Sequence, residues 1–291
     1  MVNNPLFRPP AEADSLILQI DEGCPYNRCT FCGMYRGLKY NPRPLPDIAR
    51  MIAQEARDAP ETHRIFLADG DVMRRSFSDL HSILTTLASH FPALARVNTY
   101  ATGNAIMNIK PEDLQALRAL KLQTLYLGLE SGDEETLRRI RKAESAAVMV
   151  EAGCRAQAAG LRLSVMILLG LGGADRTREH ALATAEALNR IQPRLLSALR
   201  VIPIPGTEFH ADVTADRFQL LTEARIVGEL RLIVEHLELT NTVFRANHTS
   251  NIIPLEARLP RDKDRLLAQL DELLASGTLD SQSPGSMPLW L

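Results

Sequence analysis

The chain has 291 residues, of which 45% are hydrophobic, so it is long enough to form one α/β barrel with a sizeable core. Its formal net charge is −2, and because acidic and basic residues are interspersed, it offers no long-range attraction for nucleic acid or an anionic membrane. The N-terminus lacks the apolar core of a signal peptide and no apolar run reaches membrane-spanning length, which predicts a cytoplasmic protein without membrane attachment.

The first predicted element is a buried strand at residues 15–20, and a cysteine-bearing loop follows it directly. Three of the four cysteines, Cys24, Cys29 and Cys32, fall within nine residues of this loop in the spacing C-x4-C-x2-C. Clustered cysteines in a cytoplasmic protein indicate metal binding rather than disulfides. The spacing therefore predicts that the three thiolates hold one small inorganic centre.

Three kinds of metal site are compatible with this loop. Structural zinc needs four Cys or His ligands, and the nearest histidine after the loop is His63. The spacing also opens the plant-type ferredoxin pattern, for which the only fourth cysteine is Cys154, in a helical-looking segment where a small buried thiol is expected. An iron–sulfur cluster with three protein ligands would instead leave one iron open. We favour the open cluster and keep a zinc-stabilised binding protein and an iron–sulfur electron-transfer protein as alternatives.

The cysteine loop resembles the cluster loop of the radical S-adenosylmethionine (radical SAM) superfamily, in its place after the first strand and in the aromatic residue, Phe31, before the last cysteine. The spacer of four residues departs from the three that most members have. The resemblance implies a [4Fe–4S] cluster held by Cys24, Cys29 and Cys32, with Phe31 close to the cosubstrate. It also implies that the open iron chelates S-adenosylmethionine (SAM), whose reductive cleavage gives methionine and a 5′-deoxyadenosyl radical.

Beyond the loop, predicted helices and strands alternate. The helices are expected at 44–57, 78–89, 111–120, 133–141 with 146–159, and 178–191, and the strands at 64–68, 96–100, 123–129, 162–169 and 196–202. Six strands, each followed by a helix, predict a parallel sheet built from βαβ units. Periodicity alone does not distinguish a closed eight-stranded barrel, an open six-stranded barrel and a doubly wound sheet. The resemblance implies a partial (β/α)6 TIM-like barrel with a small C-terminal α/β extension.

Candidate cofactor-binding residues follow the strand ends, where the sites of parallel α/β folds collect. Asp69, Gly70 and Asp71 follow the second strand and resemble the Gly-Gly-Glu segment of the superfamily, although two of the three residues differ. The resemblance implies that this segment approaches the ammonium group of SAM. A tight turn is the alternative interpretation, because Asp-Gly is a common turn pair.

Glu130 and Ser131 follow the fourth predicted strand. An acid at the tip of a buried strand needs a partner, and in the superfamily branch that the chain resembles such an acid lies beside SAM. Ser131 is alternatively part of the following helix entry. Arg138, Arg139, Arg141 or Lys142 could supply the counter-charge of Glu130, and we choose Arg138, although such a run usually marks a solvated helix face.

Gly170, Arg200 and Val201 complete the candidate cofactor site. Gly170 opens a glycine-rich turn that resembles the adenosine-side loop of the superfamily, and simple strand-to-helix punctuation is the alternative. Arg200 places a permanent charge near the end of the apolar sixth strand, so it is either ion-paired in the barrel or directed at substrate or SAM. Val201 follows Arg200 at the same strand end.

The predicted domains are an N-terminal arm at 1–14, the barrel at 15–210, an extension or lid at 211–280 and a flexible tail at 281–291. The extension is expected to contain helices at 220–239 and 262–275 and a short strand at 242–245. Its polar connector at 246–254 includes His248 and is interpreted as a substrate-side lid.

These features predict a radical SAM enzyme that abstracts hydrogen from a small-molecule substrate. The resemblance implies a one-electron reductant such as flavodoxin or ferredoxin. Only Cys154 remains outside the loop, so no auxiliary cluster is expected. Nucleic acid is an unfavoured substrate, because the chain has no basic excess.

Overall fold

The structure has an α/β architecture organised around one mostly parallel sheet. The computed structural model describes residues 7–288 of the chain, and within them eight strands form this sheet. The strands are β1 (Leu16–Gln19), β2 (Arg64–Ala68), β3 (Arg96–Ala101), β4 (Leu122–Glu130), β5 (Arg162–Leu169), β6 (Leu195–Arg200), β7 (Thr242–Arg245) and β8 (Glu256–Leu259). Their order in the sheet is their order in the chain. A separate two-stranded ribbon pairs Asp21–Glu22 with Asn41–Pro42.

Consecutive strands pair in parallel from β1 to β4 and from β5 to β7. The last strand, β8, pairs antiparallel with β7. The predicted parallel α/β fold is therefore confirmed, and the C-terminal extension adds two strands to the same sheet. Strand β8 was not predicted, because its sequence Glu-Ala-Arg-Leu alternates charged and apolar residues over only four positions.

Ten α-helices lie in the part of the chain that the structure describes. They are α1 (Leu45–Asp58), α2 (Phe77–His90), α3 (Gly103–Met107), α4 (Pro111–Ala119), α5 (Glu134–Arg139), α6 (Ala146–Ala158), α7 (Gly173–Ile191), α8 (Glu208–Thr214), α9 (Glu223–His236) and α10 (Lys263–Ala275). The short helices α3 and α8 were not predicted. The other eight confirm the predicted helices with shifted ends.

Side-chain caps explain several of these helix ends. The Ser76 hydroxyl accepts a 3.1 Å hydrogen bond from the amide of Asp79, which fixes the start of α2. The Thr222 hydroxyl accepts from the amide of Arg225 at 3.3 Å. Because this cap sets the start of α9, the helix begins at Glu223, three residues later than predicted.

One compact unit comprises the described residues up to Asn27 together with Met34–Leu127 and Glu151–Leu163. Strand β2 shows its packing, since four of the five β2 residues are buried, as expected for a parallel strand covered on both faces. Phe66, Tyr100 and Tyr126 pack edge to face, with ring centroids 5.0, 5.7 and 6.2 Å apart. These rings form an aromatic centre in the unit.

The second unit comprises Arg28–Gly33, Gly128–Val150 and the described residues from Ser164 onwards. Helix α9 packs against both α7 and α10, and buries Ile226, Leu230 and Ile233. The helix α7 begins at Gly173, five residues before its predicted start, and a non-helical Arg176 marks a kink in its first turn. The C-terminal helices therefore share the core of the unit that contains β6 and β7.

Among residues 7–288, no helix has the length and apolar character that crossing a bilayer would require. The predicted boundaries of the arm, barrel, extension and tail stay predictions. Residues 1–6 and 289–291, which belong to the predicted arm and tail, lie outside the described residues.

Candidate active site

The three clustered cysteines are half-buried. The amide of Cys32 donates to the carbonyl of Cys29 at 3.3 Å, so a tight turn joins these two residues. Cys154 is exposed on α6, which corrects the expectation of a buried thiol there. Within residues 7–288, no group of three or more His, Cys, Asp or Glu side chains is arranged to hold a single metal ion.

A buried ion pair holds the chain where β1 leads into the cysteine segment. The Nη2 of Arg75 lies 2.5 Å from the Oδ1 of Asp21, and the two side chains are only 6% and 1% exposed. The same nitrogen donates to the carbonyls of Ile20 and Arg43 at 2.9 and 2.7 Å. The guanidinium therefore fixes the backbone just before Cys24.

Asp69 and Gly70 lie directly after β2 and contact the start of the cysteine segment. Asp69 is 2% exposed, and its carboxylate accepts hydrogen bonds from Gln19, Gly23 and Tyr35. Burial raises the pKa of Asp69, while these three donors oppose the rise. Donors within the protein therefore satisfy the carboxylate of Asp69, and its burial does not depend on a contact with a cosubstrate.

Gly70 packs against the backbone of Cys24. A Cβ at position 70 would lie 2.8 Å from both the Cα and the Cβ of Cys24, closer than such atoms approach one another. Only glycine allows this approach. The second strand end is therefore shaped to receive the first cysteine.

Asp71 contacts the end of β3 rather than open space. Its carboxylate accepts hydrogen bonds from the amide and the hydroxyl of Thr102, at 3.2 and 2.7 Å. The Thr102 hydroxyl in turn accepts from the amide of Ala105 and caps α3. Asp71 therefore positions the loop that follows β3.

In the second unit, residues Arg28–Gly33 are fixed by backbone hydrogen bonds. The amide of Thr30 donates to the carbonyl of Ile140 at 3.0 Å, and the amide of Phe209 donates to the carbonyl of Thr30 at 3.1 Å. A Cβ at Gly33 would lie 2.9 Å from Ile204. Phe31 is half-buried in this segment. The stretch that carries Cys29 and Cys32 is thus tied to α8 and to the residue that follows α5.

Glu130 ends β4 with a left-handed backbone, at a φ of 60°, and is 4% exposed. The Nζ of Lys142 lies 3.3 Å from its Oε1, and the second oxygen, Oε2, is buried without a hydrogen-bond partner. A Cβ at Gly128 would overlap Oε1, so glycine at that position makes room for the carboxylate. One lone buried oxygen therefore remains for another donor.

The choice of Arg138 as the counter-charge of Glu130 was wrong. Arg138 instead pairs with Glu135 at 2.7 Å, and its side chain is 73% exposed. Lys142 is the buried partner, with a side chain 12% exposed. Burial raises the pKa of Glu130, and the charge of Lys142 opposes that rise. Burial alone would lower the pKa of Lys142, but the charges of Glu130 and Cys29 outweigh this effect, so the pKa of Lys142 is raised.

A buried polar network joins the end of β4 to the end of β5. The Ser131 hydroxyl lies 2.7 Å from the Nδ1 of His180, whose Nε2 lies 3.6 Å from the Oε1 of Glu229. Glu229 Oε1 accepts from the amide of Gly170 at 2.6 Å, and Oε2 accepts from the Thr177 hydroxyl at 2.5 Å. Ser131 and His180 are fully buried and Glu229 is 3% exposed. One hydrogen bond therefore holds Ser131 against His180 and another holds Gly170 against Glu229, whereas the His180 Nε2 makes no hydrogen bond within the described residues.

Gly170, Arg200 and Val201 line one cavity, together with Pro284 and Met287. Arg200 is 8% exposed, and its Nη1 and Nη2 donate to the carbonyls of Pro284 and Ser286 at 2.7 and 2.9 Å. Burial lowers the pKa of Arg200. The segment predicted to be a flexible tail thus accepts two hydrogen bonds from a buried guanidinium. The sequence predicted an acidic residue or a ligand as the partner of Arg200, but backbone carbonyls accept these two hydrogen bonds.

The ion pair between Asp133, which caps α5, and Arg176 of α7 predicts that the stability of the fold decreases at acidic pH. Burial disfavours the charge of Asp133, but hydrogen bonds from Arg176 and Thr136 hold its pKa at about 2. This pKa lies below the unfolded value of about 3.9, so the carboxylate stabilises the fold above that pH, and the contribution is lost as pH falls toward 2. Unfolding free energies of the apoprotein across this range are expected to depend less steeply on pH in Asp133→Asn than in wild type. Equal slopes would contradict this assignment.

The family model described as "Radical SAM superfamily" matches residues 18–185, which include all three loop cysteines. No curated protein sequence matches the chain.

Several solved structures share the fold. Methylornithine synthase (PylB) is 17% identical with a TM-score of 0.54, and the match covers 89% of this chain and 81% of that chain. Coproporphyrinogen III oxidase (HemN) from Escherichia coli, described as a radical SAM enzyme, is 16% identical with a TM-score of 0.57 and coverages of 76% and 51%. The hydrogenase maturase HydG from Carboxydothermus hydrogenoformans is 20% identical, with a TM-score of 0.52 and coverages of 88% and 56%. The chain thus spans about half the length of HemN and HydG.

Proposed function

The chain belongs to the radical SAM superfamily, and from this premise we propose that it is an enzyme that reductively cleaves SAM and abstracts hydrogen from a small-molecule substrate. Members of this superfamily bind a [4Fe–4S] cluster and SAM. The observation that carries the proposal is the family match over residues 18–185, within which the C-x4-C-x2-C loop lies directly after the first strand. When bound and reduced, the cluster supplies the electron that splits SAM into methionine and a 5′-deoxyadenosyl radical.

Cys24, Cys29 and Cys32 would hold the cluster. Each thiolate of such a cluster binds a different iron, so the three sulfurs need not converge on one point as ligands of a single ion do. Two features of the fold fit this role. Gly70 leaves room for Cys24, which a Cβ at position 70 would approach to 2.8 Å, and hydrogen bonds from Thr30 to Ile140 and from Phe209 to Thr30 hold the segment around Cys29 and Cys32.

Glu130 is the residue that we propose as a direct SAM contact. Its Oε1 is paired with Lys142, whereas its Oε2 is buried without a hydrogen-bond partner and is free to accept a donor from a ligand. An unsatisfied buried oxygen costs free energy unless a ligand or water satisfies it. Lys142 was one of the four basic residues considered as the counter-charge of Glu130, although Arg138 was chosen. Its role is to oppose the effect of burial on the pKa of the carboxylate and to hold the side chain in place.

Ser131 and Gly170 are proposed to shape the SAM site through the backbone. The hydroxyl of Ser131 is committed to His180, and the amide of Gly170 is committed to Glu229. Neither group is available to a ligand while these bonds persist. The left-handed φ of 79° at Gly170 instead turns the chain at the end of β5, and Val201 lines the same cavity.

Arg200 is proposed to hold the C-terminal segment against this cavity, because both of its terminal nitrogens donate to carbonyls of that segment. By lining this cavity with Pro284 and Met287, the C-terminal segment would help to keep water away from the radical. A flavodoxin or ferredoxin is proposed as the electron donor.

The experiment that tests the function starts from protein purified anaerobically. We expect iron and sulfide in the purified protein, an EPR signal of the reduced cluster that changes when SAM is added, and release of 5′-deoxyadenosine. A colourless preparation that contains zinc alone would instead support the zinc-stabilised binding protein. An iron signal that does not respond to SAM would support the electron carrier.

A further inference from the structure

One carboxylate, that of Asp69, receives three hydrogen bonds at the end of β2. Its Oδ2 accepts from the Nε2 of Gln19 at 2.9 Å and from the amide of Gly23 at 3.2 Å. Its Oδ1 accepts from the Tyr35 hydroxyl at 3.2 Å. Asp69 is 2% exposed, so these bonds form away from bulk water, where losing them is most costly.

The three donors surround the cysteine segment in the sequence. Gln19 ends β1, Gly23 immediately precedes Cys24, and Tyr35 follows Cys32 by three residues. A single side chain therefore ties down the chain on both sides of the three cysteines. Since a flexible loop loses conformational entropy when it binds a ligand, fixing its two ends beforehand lowers that cost.

Tyr35 is itself held firmly in this arrangement. It is 3% exposed, and its ring packs edge to face on Phe7, with 5.7 Å between the ring centroids. The carbonyl of Tyr35 accepts a 2.8 Å hydrogen bond from the side chain of Asn27, which lies between the first two cysteines. The anchor on the far side of the cysteines is thus a rigid one.

We propose that Asp69 is a positioning residue that fixes both ends of the cysteine segment and so preorganises the cluster ligands. This role differs from the contact with SAM that the sequence position suggested. The inference rests on the proposed function, because it assumes that the segment holds a cluster. It predicts that substitution of Asp69 acts primarily on retention of the cluster, and on SAM binding only through the loss of the cluster.

A matched control separates this role from general stabilisation by a buried carboxylate. Glu12 is also 2% exposed, and it accepts hydrogen bonds from Ser15 at 2.6 Å, from Asn98 at 2.8 Å and from the Tyr126 hydroxyl. None of its three donors belongs to the cysteine segment. Glu12→Ala therefore removes an equally buried acceptor with three donors and leaves the loop anchors intact.

The experiment compares full-length, anaerobically reconstituted Asp69→Ala, Asp69→Asn and Glu12→Ala proteins with wild type. Iron per chain and the rate at which a ferrous chelator removes iron are measured, and the apoproteins are melted by circular dichroism. We expect Asp69→Ala to lose iron about 10–100-fold faster, the range typical of partners that orient metal ligands. Asp69→Asn should stay close to wild type, since its carbonyl still accepts from Gln19 and Gly23 and its amide donates to Tyr35.

Glu12→Ala should lower the melting temperature without a comparable change in the rate of iron loss. Tyr35→Phe, which removes one hydroxyl and creates almost no cavity, should raise that rate a few-fold even if Asp69→Ala folds poorly. The proposal is overturned if Asp69→Ala and Tyr35→Phe release iron at the wild-type rate, or if Glu12→Ala releases it as fast as Asp69→Ala. A wild-type protein without iron would overturn the proposed function instead, so the two failures are distinguishable.

Discussion

Replacing Cys24, Cys29 or Cys32 singly with alanine is expected to abolish 5′-deoxyadenosine formation. Each substitution removes one of the three proposed cluster ligands, and the same segment offers no spare thiolate. The loss of an outer residue that orients a metal ligand already costs about 10–100-fold, and loss of the ligand itself should exceed that range. Iron content, the EPR signal of the reduced protein and 5′-deoxyadenosine release are measured on the same preparations.

Cys154→Ser is the control for these variants. Cys154 is the fourth cysteine of the chain, and it is exposed on α6. We expect this variant to keep its iron and its activity. If Cys154→Ser loses iron as the other three variants do, four cysteines close the cluster and the electron-carrier interpretation gains support.

The fold was predictable where burial leaves a strong local pattern. The strands at 64–68 and 162–169 were predicted with their observed ends, because parallel strands covered on both faces are continuous apolar runs. The ends of helices were less predictable, since capping by residues such as Thr222 and a kink at Arg176 decide them. Strand β8 depends on its pairing with β7, which no local pattern reveals.

The position of Lys142 illustrates what a charge pattern leaves open. Four basic residues lie at 138, 139, 141 and 142, and helical periodicity alone does not choose among them. In the structure α5 ends at Arg139, and Arg141 adopts a left-handed φ of 52°. The amide of Lys142 then bonds to the carbonyl of Leu137, which turns this side chain toward Glu130. The helix C-terminus, rather than the helix face, selects the partner.

The network around His180 could not be predicted from the sequence. Ser131, His180 and Glu229 are separated by about fifty residues at each step, and packing of α7 on α9 brings the last two together. No motif spacing signals such a contact. By contrast, the cysteine segment is local in the sequence, so its proposed metal-binding role could be inferred from the cysteine spacing alone.

Lys142→Met is expected to destabilise the fold by roughly 3–5 kcal/mol, because it leaves the carboxylate of Glu130 buried without its counter-charge. The two side chains are 12% and 5% exposed, so solvent screens the pair little. Glu130→Gln in the same background should recover most of the loss, since an amide needs no cation. Chemical denaturation of the apoproteins of wild type, Lys142→Met, Glu130→Gln and the double variant forms a double-mutant cycle, which measures the coupling free energy between the two side chains.

The destabilisation by Lys142→Met should also grow with pH. Burial raises the pKa of Glu130 above its unfolded value, so the folded state favours the protonated form and loses stability as pH rises. Lys142 opposes this shift, whereas Glu144 adds to it. Without Lys142, Glu130 stays protonated at low pH and costs little there, whereas at high pH its ionisation in a buried position destabilises the fold. A penalty equal at about pH 5 and about pH 8 would contradict this account.

The doubly substituted protein, Glu130→Gln with Lys142→Met, separates the structural role of the pair from its role toward SAM. We expect it to fold, because the amide that Glu130→Gln introduces needs no cation. We also expect it to retain the cluster, because all three cysteines remain, although the charge of Lys142 near Cys29 is lost. Its EPR signal should respond to SAM only at higher concentrations than in wild type, since the amide replaces the carboxylate whose Oε2 lacks a partner within the described residues. A wild-type response to SAM in this variant would show that Glu130 serves only the fold, and that the end of β4 is not the contact through which this enzyme holds its cosubstrate.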